Sequence, residues 1–340
     1  MPSLAASVRG PEALAFNPDV VLTNVLMTIV FVFMFGLTSE IFNSTLDANR
    51  REIEGWWGRL LRGPFRFLRP VLRADSMLDG LSASGPPGVA AHALVVLALV
   101  GLIYGFLSPD FGLNQQSLIL FVSLVIGLGF VTYFTEGSTS LLAIRRHGAN
   151  ASVRLYGTAV LVAIASVIAS RFIDFSPGLV YGFVASSLIL APVALARRDE
   201  AFLVLLPAIG LLLISLAAWF LLQPVRAAAG DGSWLMALLD SILAIVVVAG
   251  LEGLFFTMIP LRFMDGAIIM RWSRLAWALV FGTVTFLWWQ LLLNQNGAYA
   301  AAFQQASVQL VIGVLVLFMV TTGGIWTYFR FHVLAEEAAA

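Results

Sequence analysis

Apolar residues in this chain fall into long, nearly unbroken runs separated by short polar stretches. Nine runs reach or approach the roughly 20 residues that a helix needs to cross a bilayer. They lie at 19–38, 88–107, 117–135, 156–170, 179–196, 201–222, 234–259, 275–293 and 305–329. The fourth, which contains GTAVLVAIASVIAS, is the shortest. The pattern predicts an all-α fold, a polytopic transmembrane helical bundle of about nine helices. No stretch is left over for a separate soluble domain, so residues 1–340 read as a single transmembrane domain.

The polar stretches set the expected orientation, because arginine and lysine accumulate in loops on the cytoplasmic side. With the N-terminus outside, Arg50, Arg51, Arg59, Arg62, Arg66, Arg69 and Arg73 share the first inside loop. Later inside loops hold Arg145, Arg146 and Arg154, then Arg197 and Arg198, then Arg262, Arg271 and Arg274, with Arg330 at the inside C-terminus. Only Arg9, Arg171 and Arg226 fall outside. The expected arrangement is therefore N-out and C-in.

The first inside stretch, residues 39–87, is the only sizeable one outside the membrane. A helix is expected through LDANRREIEGWWGRLLRG, capped by Ser44 or Thr45 or continuing the first span. Trp56, Trp57, Leu60 and Leu61 fall beside arginines, and PFRFLRPVLR alternates basic with apolar residues. A basic amphipathic segment with aromatics suits the headgroup region of an anionic leaflet. It equally suits a docking surface for a protein at the cytoplasmic face. Nucleic acid is not an expected partner, because Glu52, Glu54, Asp75 and Asp79 interrupt the basic run. LDGLSASGPPG at 78–88 reads as a connector.

Composition narrows the chemistry. Hydrophobic residues make up 60% of the chain and charged residues 11%, against about half and a quarter in soluble domains. The N-terminal MPSLAASVRGPEALAFNPDV lacks the layout of a signal peptide, so the first apolar run is expected to stay as a membrane helix. Cysteine and lysine are both missing, which removes thiolate and Schiff-base chemistry. His92, His147 and His332 stand apart from one another and from other ligand-type residues, so no metal and no cofactor is expected. The two Asn-x-Ser/Thr matches, at Asn43 and Asn150, fall inside and are read as chance.

One carboxylate is expected within the bilayer. Glu252 sits in GLEGLFFTMIPLRFMDG (250–266), between Gly250 and Gly253 and ahead of Pro260. An acid at that depth is costly and faces protein, water or a partner charge. A structural role, hydrogen-bonded to a neighbouring helix or paired with Arg154 or Arg274, competes with a proton or ion site. Asp240 is the only other acid expected in that helix, twelve residues away and about 120° round it. Small residues at 250 and 253 allow another helix to approach closely. Asp265-Gly266 reads as a turn and Ala267–Met270 as a short interfacial piece. Trp288, Trp289, Trp326, Tyr328 and Phe331 read as aromatic belts at helix ends. The turns FLSPDFGL (106–113) and FIDFSPGL (172–179) echo each other, as related helical hairpins or shared turn chemistry would produce.

FVFMFGLTSEIFNSTLDANRREIEGW, YGFLSPDFGLN, SPGLVYGF and GLEGLFFTMIPLRFMDG followed by RWSRLAWALVFG together resemble one bacterial group. These are the multi-pass membrane proteins named for an FGLLP motif, found mainly in actinobacteria and their relatives. The motif maps onto Phe256, Thr257, Met258, Ile259 and Pro260, with identity at the two outer positions and threonine where the motif has its glycine. The resemblance implies a bacterial cytoplasmic membrane. It supplies no catalytic residues, because the group has no established activity.

The expected function is thus non-enzymatic, an anchor or accessory subunit of a membrane-associated complex. It would use the basic segment and Arg262, Arg271 and Arg274 towards lipid headgroups or a partner protein. The alternative is a secondary transporter or channel that works through Glu252.

Overall fold

The computed structural model describes residues 7–14, 17–63, 86–156, 158–173, 175, 177–181, 185–190, 195–228 and 233–339. Arg66, Arg69 and Arg73, with the rest of PFRFLRPVLR and the 78–85 part of the connector, lie outside them. Ten α-helices and one pair of strands are present among the described residues. They run α1 (Pro18–Ala48), α2 (Arg50–Arg62), α3 (Pro86–Gly105), α4 (Gln115–His147), β1 (Asn150–Leu155), α5 (Thr158–Ile173) and β2 (Ala185–Leu190). After these come α6 (Arg197–Ala228), α7 (Trp234–Met258), α8 (Asp265–Trp272), α9 (Arg274–Trp288) and α10 (Ala306–Ala339). A π-helical turn, Trp289–Leu293, extends α9.

Seven of these helices (α1, α3, α4, α6, α7, α9 with its π turn, and α10) are long and apolar enough to cross a membrane. The chain is thus a multi-pass helical membrane protein, but one of its nine apolar runs is not a helix. Residues 185–190, inside the run expected at 179–196, form β2 and pair antiparallel with β1, Asn150 opposite Leu190 and Leu155 opposite Ala185. Continuous apolarity does not distinguish a buried strand from a buried helix. Here the run also contains Gly182, Ser186-Ser187 and Pro192, which weaken a helix. Just before it, Gly178 has φ +110°, a region that a side chain would strain.

The path of this segment follows from its contacts. Near the end of α5, Arg171 donates from Nε to the Phe106 carbonyl (2.8 Å) and from Nη2 to that of Ser108 (3.2 Å), beyond the far end of α3. Ser187 of β2 donates to Glu136, to its carbonyl at 2.8 Å and its carboxylate at 2.6 Å, in the half of α4 that leads to Arg145 and Arg146. The described parts of 175–190 therefore return along the bundle in extended form. The turn at 106–113 joins two helices, whereas 172–179 leads into this extended segment. The two turns are not corresponding parts of duplicated hairpins.

At the centre stands α7. From Ala244 through Phe255 every residue is buried, so the helix is covered on all sides by α4, α6, α9 and the extended segment. Gly250 makes the close approach expected of it: a Cβ there would run into the Ser215 hydroxyl of α6. Gly253 is buried in the same helix. Gly127 does likewise in α4, where a Cβ would meet Ile245 Cγ2 at 2.6 Å.

At the end away from the arginines, α1 carries Asn17 as its cap, accepting from Asp19 N at 3.1 Å, and from there it runs 31 residues. Ser44 and Thr45 are not caps. Both hydroxyls donate to the Ile41 carbonyl within α1, and α2 follows after a break at Asn49 alone. Asp265-Gly266 is not a free turn either. It begins α8, with Gly266 so close to the Met258 and Ile259 carbonyls that no side chain would fit.

Candidate functional site

Glu252 is completely buried, and its neighbour is backbone. Its Oε2 accepts a hydrogen bond from Val180 N at 2.6 Å. The flanking amides are held in the same way: Leu179 N donates to Ser170 Oγ at 2.9 Å and Tyr181 N to the Tyr104 hydroxyl at 3.0 Å. Three consecutive backbone N–H groups of the extended segment are thus each satisfied by a side chain from a different helix, α5, α7 and α3. Non-helical backbone at membrane depth survives only if its polar groups find such partners. Glu252 is therefore one jaw of a clamp. Arg154 and Arg274 do not reach it, and Arg274 is instead 2.6 Å from Glu40.

The clamp leaves one acceptor over. Glu252 Oε1 and the indole N–H of Trp288 lie close together without meeting the geometry of a hydrogen bond. Trp288 stacks on Phe255 with centroids 4.0 Å apart and planes 23° apart. Trp288 and Trp289 are 1% and 0% exposed, so they are core residues and not part of an aromatic belt. Trp288 continues the buried face of α9 with Trp277, Phe281, Val284 and Thr285, and Trp289, the first residue of the π turn, meets Phe31 edge-on. Trp326, Tyr328 and Phe331, by contrast, are substantially exposed.

Asp240 belongs to a different place. It forms a partly exposed ion pair with Arg226 at 2.7 Å, in the wall of a polar cavity of about 900 Å³ lined also by Asp110, Asn114 and Gln116. This cavity is at the opposite end of the bundle from Pro260. Arg226 also donates to the Val8 carbonyl at 3.0 Å, and Trp219 to that of Arg9 at 2.8 Å. The N-terminal residues are thereby tied across α6.

At the arginine-rich end, a second set of contacts fastens the loop after α7. Asn43 donates to the Pro260 carbonyl and accepts from Arg262 N, both at 2.8 Å. Arg262 pairs with Asp47, and the Trp277 indole donates to the Met258 carbonyl at 2.8 Å. Arg271 Nε donates to the Ala267 carbonyl at 3.3 Å. Here α2 leans on α10 through Trp56, stacked on Phe329 at 5.1 Å and edge-on to Tyr328 at 5.2 Å. Arg51 and Arg59 are exposed, and Arg50 makes an exposed pair with Glu54 at 2.8 Å. Trp57 and Arg62 contribute backbone to α2.

Between α10 and α7 an apolar crevice of about 270 Å³ opens, floored by Phe35, Phe255 and Trp288 and rimmed by Leu179, Val314 and Phe318.

Val180, Tyr104, Ser170 and Glu136 escape a sequence reading, because nothing local marks an amide or hydroxyl as the partner of a distant acid. An extended reading of 179–190 would have exposed them, since its unpaired amides then require acceptors. No protein-family model, no curated protein and no solved structure matches this chain. The likeness to the FGLLP-motif proteins rests on the quoted residues alone.

Proposed function

We propose that this protein is a non-enzymatic component of a bacterial cytoplasmic membrane, an anchor or accessory subunit whose working surface is the arginine-rich face. The observation that carries the reading is the posture of α2. Trp56 pins the helix to α10 while Arg50, Arg51 and Arg59 stay on the outside. A surface held in place before a partner arrives loses less conformational freedom on binding. The ties between Asn43, Asp47, Arg262 and Pro260 add to that rigidity. The N-out, C-in orientation puts this face in the cytoplasm. The protein purified in mild detergent from its native membrane should carry a stoichiometric protein partner. Replacing Arg50, Arg51 and Arg59 together by glutamate should cut its recovery at least fivefold without lowering the amount of the chain. A monomer free of any partner overturns the reading.

The clamp favours a second reading, transport. Extended backbone beside a buried acid is the local design by which broken helices form ion sites in transporters, and an intramembrane carboxylic acid is suited to carrying a proton. On this reading Glu252 releases Val180 when it changes protonation. Proteoliposomes under a potassium diffusion potential should then take up protons, and Glu252→Gln should abolish the uptake. Equal flux in the variant rules Glu252 out as the carrier.

A further inference from the structure

The crevice beside α10 has a specific occupant. Its walls are aliphatic and aromatic throughout, so water has no partners there and a hydrocarbon does. Val314, which lines it, is 53% exposed, so the mouth opens sideways through the surface that spans the membrane. Along α10 its lining runs from Leu310 to Phe318, about 12 Å at 1.5 Å per residue. That is most of one leaflet of a hydrocarbon core about 30 Å thick.

Depth fixes which leaflet. The lining residues of α7 are in its last turns, Phe255 and Phe256, and the crevice reaches Ile259 and Leu261 in the following loop. The next residue is Arg262. Around it Arg262, Arg271 and Arg274 meet only two acids, Glu40 and Asp47, in one polar pocket. Two of the arginines are paired with those acids, and Arg271 has no acidic partner among the described residues. The hydrocarbon slot thus ends beside a surface with a surplus positive charge.

We propose that the crevice holds one acyl chain of an anionic phospholipid taken from the arginine-rich leaflet. The chain lies against Leu179 and Trp288, the residues that flank the Glu252–Val180 hydrogen bond on its lipid side. It fills the space behind the clamp and keeps the extended segment seated. The lipid is then a structural component of the fold, whichever function the arginine-rich face performs.

Native mass spectrometry of the full chain in detergent provides the test. The wild type should retain one phospholipid. After delipidation it should rebind phosphatidylglycerol at least fivefold more tightly than phosphatidylcholine, with a rise of several degrees in melting temperature. Val314→Trp, which plugs the mouth from a half-exposed position, should abolish both the adduct and the thermal shift. A parallel measurement needs no plugged variant: phosphatidylglycerol with brominated chains should quench a saturable part of the tryptophan fluorescence, and Trp288→Phe should remove that part. The proposal fails if the delipidated wild type binds neither lipid, or if Val314→Trp binds as the wild type does. Equal affinity for the two headgroups overturns the anionic assignment, and quenching that Trp288→Phe leaves unchanged overturns the site.

Discussion

Glu252→Ala is expected to destabilise the protein by about 3 kcal/mol, whereas Glu252→Gln should cost less than about 1. The alanine leaves Val180 N without an acceptor inside the bundle, and an unpaired buried amide costs about 1–3 kcal/mol. The lost side-chain volume in the most tightly packed part of α7 adds a cavity term. Glutamine keeps an acceptor oxygen at the same reach. Unfolding in detergent with increasing dodecyl sulfate, followed by circular dichroism, measures the difference. An alanine variant within 1 kcal/mol of wild type would show that the clamp contributes nothing to stability. Equal losses in the two variants would mean that the charge of the carboxylate, and not its acceptor oxygen, holds Val180.

Trp288→Ala should cost about 3–5 kcal/mol, against less than about 1 for Trp326→Ala. In a bilayer the hydrophobic effect between helices is small, because lipid tails are as apolar as the side chains. What removal of Trp288 forfeits is contact: its stack on Phe255 and its fit beside Trp289 leave a hole that rigid aromatic neighbours cannot close. Trp326 is 43% exposed and makes one cation–π contact, with Arg330 at 5.5 Å from the ring, worth about 0.5–1 kcal/mol at such a site. The same unfolding experiment on the two variants checks the ranking. Similar losses in both would place Trp288 at the membrane boundary after all.

The two tryptophans show where a linear reading stops. Both lie close to the end of an apolar run, and position in a run is all that periodicity reports. Trp288 continues the buried face of α9 that Trp277, Phe281, Val284 and Thr285 form, and which face of a helix apolar all round turns inward is decided by the helices packed against it. The echo between 106–113 and 172–179 misleads for a similar reason. A proline-containing turn with Gly-Leu is compatible with whatever follows it, helix or extended chain.

What the sequence determined by itself was the solvent. Runs such as 201–222 and 234–259 are too long and too apolar for anything but membrane-spanning helices, because each backbone amide in hydrocarbon must bond within its own segment. It also marked Glu252 as the acid out of place, Gly250 as a point of close approach and Pro260 as the stop after α7, since these follow from residue chemistry alone. Only the tertiary structure decided what Glu252 does. Its partner is the amide of Val180, 72 residues away, and every residue type but proline offers that amide. The choice of strand over helix at 185–190 was likewise tertiary. Those residues gain their hydrogen bonds from Asn150–Leu155 and from Glu136 of α4, partners that exist only once the helices around them have packed.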